Sequence, residues 1–303
     1  MIVVVGAAVI AAFRPDFLAP FNIFVFLTTV SLALIIALGQ MIIIAIGQMN
    51  LALGAIGGLV AIAIAGMMQV WGLPVPLAVL LGLLIGVAAG FLNGFVTART
   101  GLSAFVVTLA SLSMFKGINL GITKAQPFYQ IPDAVKAFGN ASLIGPVPWL
   151  LVPALIVTVA LWYLLNRMPL GRQILAVGGN SHAAELSGIS LTRVAIATHV
   201  ISGVLAAVAG MMTVARLQIG QPTIGDDWLI PSFAAPVIGG AALAGGHVSV
   251  IGTVLGVIIV ALITQALVLF AIDPFYVQLL LGVLILGAVG LNRYREVRTL
   301  RTA

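Results

Sequence analysis

The 303-residue chain contains no cysteine. Disulfide staples, thiolate metal sites and cysteine nucleophiles are therefore excluded, and the redox compartment is not revealed. Charge is nearly as scarce, with seven Asp and Glu and thirteen Lys and Arg making 7% of the residues. Soluble domains carry about a quarter of their residues charged, so this is not the composition of a water-facing surface. The phosphate loop G-x-x-x-x-G-K-[ST] is missing, and the chain is not expected to hydrolyse ATP itself. H-E-x-x-H and G-x-S-x-G are missing too, and His182, His199 and His247 are scattered. No catalytic residue, metal site or cofactor is expected. His199, inside an apolar run, reads as a hydrogen-bonded interior residue rather than a metal ligand.

What fills the chain instead is apolar sequence: 62% of residues are hydrophobic and the mean hydropathy is +1.27. A helix needs about 20 apolar residues to cross a hydrocarbon core of about 30 Å. Ten candidate spans follow, at 1–13, 24–46, 52–70, 77–96, 103–122, 147–165, 194–214, 231–248, 249–270 and 276–292. The first opens at Met1 without a basic region or a cleavage site, so it reads as a clipped first span, not a signal peptide. The eighth is Gly-rich and is expected to be broken or re-entrant. The whole chain, 1–303, reads as a single membrane domain.

Basic residues sit at span ends, so the net charge of +6 points to cytoplasmic loops and not to nucleic acid. The longest polar break is 166–193, NRMPLGRQILAVGGNSHAAELSGISLTR. Placed inside, it puts Arg99, Arg167, Arg172, Arg193, Arg293, Arg295, Arg298 and Arg301 on the cytoplasmic side, the last four in a basic tail, 293–303. Arg14, Lys124, Lys136 and Arg216 fall outside with Asp16, Asp133, Asp226, Asp227 and Asp273, and Lys116 lies near a span end. Ten spans then leave both termini cytoplasmic. A polar, partly helical insert of this kind is where a soluble partner can grip a membrane protein.

The spans carry no acidic residue near their centres, whereas ion-driven carriers usually keep a carboxylate or histidine relay there. A sodium site built of carbonyls stays an alternative; otherwise the energy comes from another subunit. The interior polar groups are neutral. Gln48, Asn50, Asn93, Thr108, Ser111, Asn119 and Gln265 are candidate pathway residues, with Gln40 as a further buried amide. Each can equally serve as hydrogen-bonding glue between helices. Gathered around a path, they suit a neutral polyhydroxylated solute better than an ion. Thirty-four glycines imply close helix approach. Gly82, Gly86, Gly90 and Gly94 form one stripe, read first as internal packing. A weak repeat, Gly47-x-x-x-Leu51-x-x-Gly54 and Gly239-x-x-x-Leu243-x-x-Gly246, suggests paired segments in two halves.

Several of these residues together resemble the ribose-type ABC importer permeases. They are Gly171-Arg172, Gly178-Gly179-Asn180, Ala183-Ala184-Glu185-Leu186-Ser187-Gly188-Ile189, Ser202-Gly203, Ala209-Gly210 and Gln221-Pro222-Thr223-x-Gly225. Ala234 to Gly240, Leu243 to Gly246, Gly252-Thr253 and Gly256 extend the match. The resemblance implies an all-α polytopic membrane protein of type II importer permease architecture, in a bacterial inner membrane. It also implies a second permease copy, identical or paralogous, a cytoplasmic ATP-binding subunit and an extracytoplasmic solute-binding protein. A coupling helix would fall near Ser181–Ile189, with Ala183 to Ile189 meeting the ATPase and Gly188 ending the helix. Lys124, Lys136, Arg216, Asp226 and Asp227 would then be rim contacts for the binding protein.

The N-terminal half departs from the family pattern. Asn50 and Ala52 stand where an acid and a hydroxyl are usual, Ala104 replaces a proline, and Lys116 replaces an arginine. The expected cargo is a monosaccharide, with nucleosides, polyols or a furanosyl signal molecule as alternatives. Two other readings remain in view: a secondary carrier working alone, and a sensor or scaffold whose 166–193 insert recruits a soluble protein.

Overall fold

A computed structural model describes residues 2–273, 276–287 and 290. Thirteen α-helices account for most of these residues. In chain order they are α1 (Ile2–Phe13), α2 (Pro20–Ile44), α3 (Leu53–Gln69), α4 (Val75–Thr100), α5 (Ala104–Thr123) and α6 (Asp133–Asn140). After a small hairpin of β1 (Ser142–Ile144) and β2 (Val147–Pro148) come α7 (Leu151–Arg167), α8 (Pro169–Gly179), α9 (Ser181–Leu186) and α10 (Leu191–Leu217). The rest are α11 (Leu229–Ile238), α12 (Val250–Leu269) and α13 (Tyr276–Gly287). Side-chain caps start four of them. Ser103, Asn180, Ser190 and Ser249 accept from Val106, Ala183, Arg193 and Gly252 backbone N–H groups.

Every expected span contains an apolar helix, but not ten full crossings by length. Among the described residues, α2, α4, α5, α10 and α12 are long and apolar enough, and α7 with α8, bent by 72°, makes a sixth at most. The eighth span breaks as expected. α11 ends at Ile238, and its ten residues reach about 15 Å, half the hydrocarbon thickness. The 166–193 insert is helical in two pieces, α8 and α9. Arg293, Arg295, Arg298, Arg301 and the expected tail lie outside the described residues.

α10 is the centre of the bundle, packed on α2, α3, α4 and α6. The glycine stripe of α4 lies on it from end to end. A Cβ at Gly82 would come 2.7 Å from Met211, and one at Gly94 2.8 Å from the Ile196 backbone. Between them, Gly86 meets Gly203 and Gly90 meets His199 and Val200. The stripe thus packs helix on helix, as its spacing predicts.

Two irregular segments break the bundle. From the end bearing α8 and α9, residues 47–52 run inward until Asn50 reaches Ser202, eleven residues or about 16 Å along α10. From the opposite end, the segment after α10 descends along α3. Gly220 lies beside Ala65, Ile224 beside Gly58 and Gly225 against Gly54. An antiparallel bridge between Phe128 and Gly220 holds its outer start. The two segments meet where α3 begins and just before α11 begins.

Candidate functional site

The inward segment 47–52 is tied down by buried polar groups, and this is where the expected pathway residues first come together. Asn50 is 1% exposed. Its Nδ2 donates to Ser202 Oγ at 3.0 Å, and its Oδ1 accepts from the Ala52 N–H at 3.0 Å. With its amide oriented so that both atoms are satisfied, Gln40 closes on the Asn50 backbone, donating to its carbonyl at 3.0 Å and accepting from its N–H at 3.2 Å. The Leu51 N–H donates to Thr108 Oγ1 at 3.1 Å, and that hydroxyl donates to the Ala104 carbonyl at 2.7 Å. Gln48 Oε1 and His199 Nε2 pair at 3.0 Å. Irregular backbone survives at membrane depth only when its polar groups are met in this way.

The other pathway candidates are dispersed. Asn93 and Ser111 line a mostly apolar cleft of about 250 Å³ between α4 and α5. Both amide atoms of Asn93 are buried without a partner among the described residues. Asn119 donates to the Pro222 carbonyl at 3.1 Å, helping to hold the descending segment. Gln265 is buried on α12.

At the α9 end, three pieces of backbone lock together. Gly178, in the last turn of α8, leaves no space for a Cβ between the Ala45 carbonyl and Gly246. The Gly246 N–H donates to that same Ala45 carbonyl at 3.0 Å, and Gly47 abuts Ala244 and Gly245. The two halves of the faint repeat therefore touch. Beside them a cavity of about 550 Å³ is lined by Gln48, Thr97, Gly178, Asn180, Thr192 and others. α9 projects from this junction. Ala184 is buried and Ile189 half-buried, while Ala183, Glu185, Ser187 and Gly188 are exposed. Leu186 is 78% exposed, a large apolar tip on a short helix. Gly188, at φ +82°, turns the chain back toward α10.

The expected rim residues divide. Lys124 is exposed just past α5, and Lys136 pairs with Asp133 at 3.6 Å on α6. Arg216 Nη1 donates to Asn140 Oδ1 at 2.6 Å and lies over the Phe24 ring, so it fastens α6 to α10. Asp227 is exposed beside a cavity of about 400 Å³. Asp226 instead pairs with Lys116 at 2.9 Å, well inside the bundle's length. Sequence reasoning placed both near the surface. The available signal was a lysine six residues inside the expected limit of span 103–122.

The family model described as "Branched-chain amino acid transport system / permease component" matches residues 22–289. The ribose import permease protein RbsC of Bacillus subtilis is 35% identical over 291 residues, covering 95% of this chain and 89% of its own length. The D-allose transport system permease protein AlsC of Escherichia coli is 34% identical, over 96% of this chain and 90% of its own. The fructose import permease protein FrcC of Rhizobium meliloti is 32% identical, over 92% and 79%. No solved structure matches the chain. A match that runs from α2 to α13, over a bundle of apolar helices with irregular backbone at its centre, leaves one conclusion: the chain belongs to this family of transport-system permease components, and is a multi-pass membrane permease and not an enzyme.

Proposed function

We propose that this chain is the membrane subunit of an ATP-driven, binding-protein-dependent importer for a monosaccharide. Two permease copies line the path, a separate subunit hydrolyses ATP, and a solute-binding protein delivers cargo at the end opposite α9. The observation that carries this reading is α9. A six-residue helix with an exposed leucine tip is anchored through α8 on the junction of Ala45, Gly178 and Gly246. The ATPase grips Leu186 and Glu185. Its closure moves α8, and the locked glycine backbones pass the shift to α2 and to the loop between α11 and α12 as rigid bodies.

The test is reconstitution in liposomes with the cognate ATPase and binding protein. Uptake of D-ribose, D-allose or D-fructose should require both partners and ATP. Concentrative uptake by the lone chain on an ion gradient would instead establish a secondary carrier. Within the working complex, Gly178→Val should cut uptake at least about tenfold while the ATPase still co-purifies. The added side chain forces α8 off Ala45 and Gly246, and close-packed backbone relaxes only with strain. Normal uptake by that variant would remove the junction from the stroke.

A further inference from the structure

Resting on that reading of a paired permease, we propose that Lys116 and Asp226 form a binding site for the hydroxyls of a neutral polyhydroxylated solute, partway across the bilayer. The pair joins α5 to the segment preceding α11 at 2.9 Å, yet its side chains stay 44% and 42% exposed. Depth gives that exposure its meaning. Lys116 lies seven residues, about 10 Å, from the Thr123 end of α5. Asp226 follows Gly225, which rests on Gly54, eleven residues or roughly 16 Å along α3 from the Ala65 contact with Gly220.

Half-exposed charges at this level do not face acyl chains, where they are strongly disfavoured and turn instead to partners or water-filled cavities. The pair therefore borders an aqueous path. A small cavity of about 60 Å³ opens beside it, lined by Leu51, Gly54, Leu112 and Leu229 with the two charged residues. It is too shallow to enclose a sugar and forms one wall of a site. Next to it on α5, Ser113 and Gly117 are exposed, and no described residue packs against Gly117.

The chemistry suits adjacent hydroxyls. The ammonium only donates and the carboxylate only accepts. Held side by side, they bracket a vicinal diol, one hydroxyl donating to Asp226 while its neighbour accepts from Lys116. Charge-assisted hydrogen bonds of this kind are short and strong. The opposite charges cancel, so the site does not concentrate an ion. Water competes at the exposed faces, which keeps binding loose enough for release.

The absence of cysteine makes the test direct. Lys116→Cys gives a chain with a single thiol, to be probed in the reconstituted complex with a charged, membrane-impermeant methanethiosulfonate. It should react at least about tenfold faster than Leu84→Cys on the apolar, exposed face of α4. The double variant Lys116→Met with Asp226→Leu removes both charges without orphaning either. Uptake of whichever of the three sugars the wild-type complex carries should fall about tenfold or more, with the complex still co-eluting on size exclusion.

Wild-type uptake by the double variant overturns the proposal. So does a thiol at 116 as slow as one at 84, or loss of uptake through loss of assembly, which would make the pair a strut. A wild-type complex that carries none of the three sugars overturns the monosaccharide function itself. Rapid labelling at 116 alongside that failure would leave the aqueous site standing and refute only its sugar cargo.

Discussion

Replacing Leu186 with aspartate is expected to weaken the hold of the ATPase by about 10- to 100-fold and to abolish ATP-dependent uptake. Leu186 is the most exposed large hydrophobic residue of α9 and touches little of its own chain. Its removal should therefore leave the bundle intact. Burying a leucine side chain stabilises an interface by about 1.5–3 kcal/mol, and each 1.4 kcal/mol is a factor of about ten in affinity. An aspartate also carries a charge into that interface. Leu186→Met, which keeps the volume and the apolar surface, should retain most of the binding. The measurement is co-purification of the ATPase with each variant, beside the melting temperature of the isolated permease. An ATPase that stays bound to the aspartate variant with unchanged affinity would place the docking surface elsewhere.

The second large effect lies in the core. Gly90→Leu should lower the thermal stability of the permease in detergent by several degrees and reduce its yield. A Cβ at Gly90 would lie 2.8 Å from the Val200 Cα and closer still to the His199 carbonyl. Those atoms are helix backbone, which cannot swing aside as a flexible side chain would. Overpacking of a well-filled core typically costs about 1–3 kcal/mol, and the whole α4–α10 contact must part to admit a leucine. Leu84→Ala, on the exposed side of the same helix, should leave the melting temperature almost unchanged. Equal stability of the Gly90 variant and the parent would mean that α4 and α10 do not meet along the glycine stripe.

Much of this protein is legible in one dimension. Apolar run length predicts where the helices lie, because bilayer thickness sets a length scale that each segment satisfies by itself. The four-residue glycine spacing predicts a close helix contact, since helical geometry places those positions on one face. The polar insert 166–193, with its Ala-Ala-Glu-Leu-Ser-Gly run, marks the short exposed helix because residues that are neighbours in sequence build it. The break in the eighth span is visible in the same way, from the glycines that crowd it.

What sequence order does not contain is which distant atoms face each other. Lys116 and Asp226 are separated by more than a hundred residues, and only the descent of the segment after α10 along α3 brings them together. Hydropathy assigned Asp226 to an outer loop because it scores composition locally and carries no information about depth. Gln40, Ser202 and Thr108 likewise read as isolated polar residues until the 47–52 segment turns inward and needs its backbone satisfied. The chain's own order thus determined that it crosses a membrane and where a short exposed helix stands out from the bundle. Packing alone decided where two broken segments meet, because the cost of an unpaired charge or carbonyl depends on what the fold sets against it.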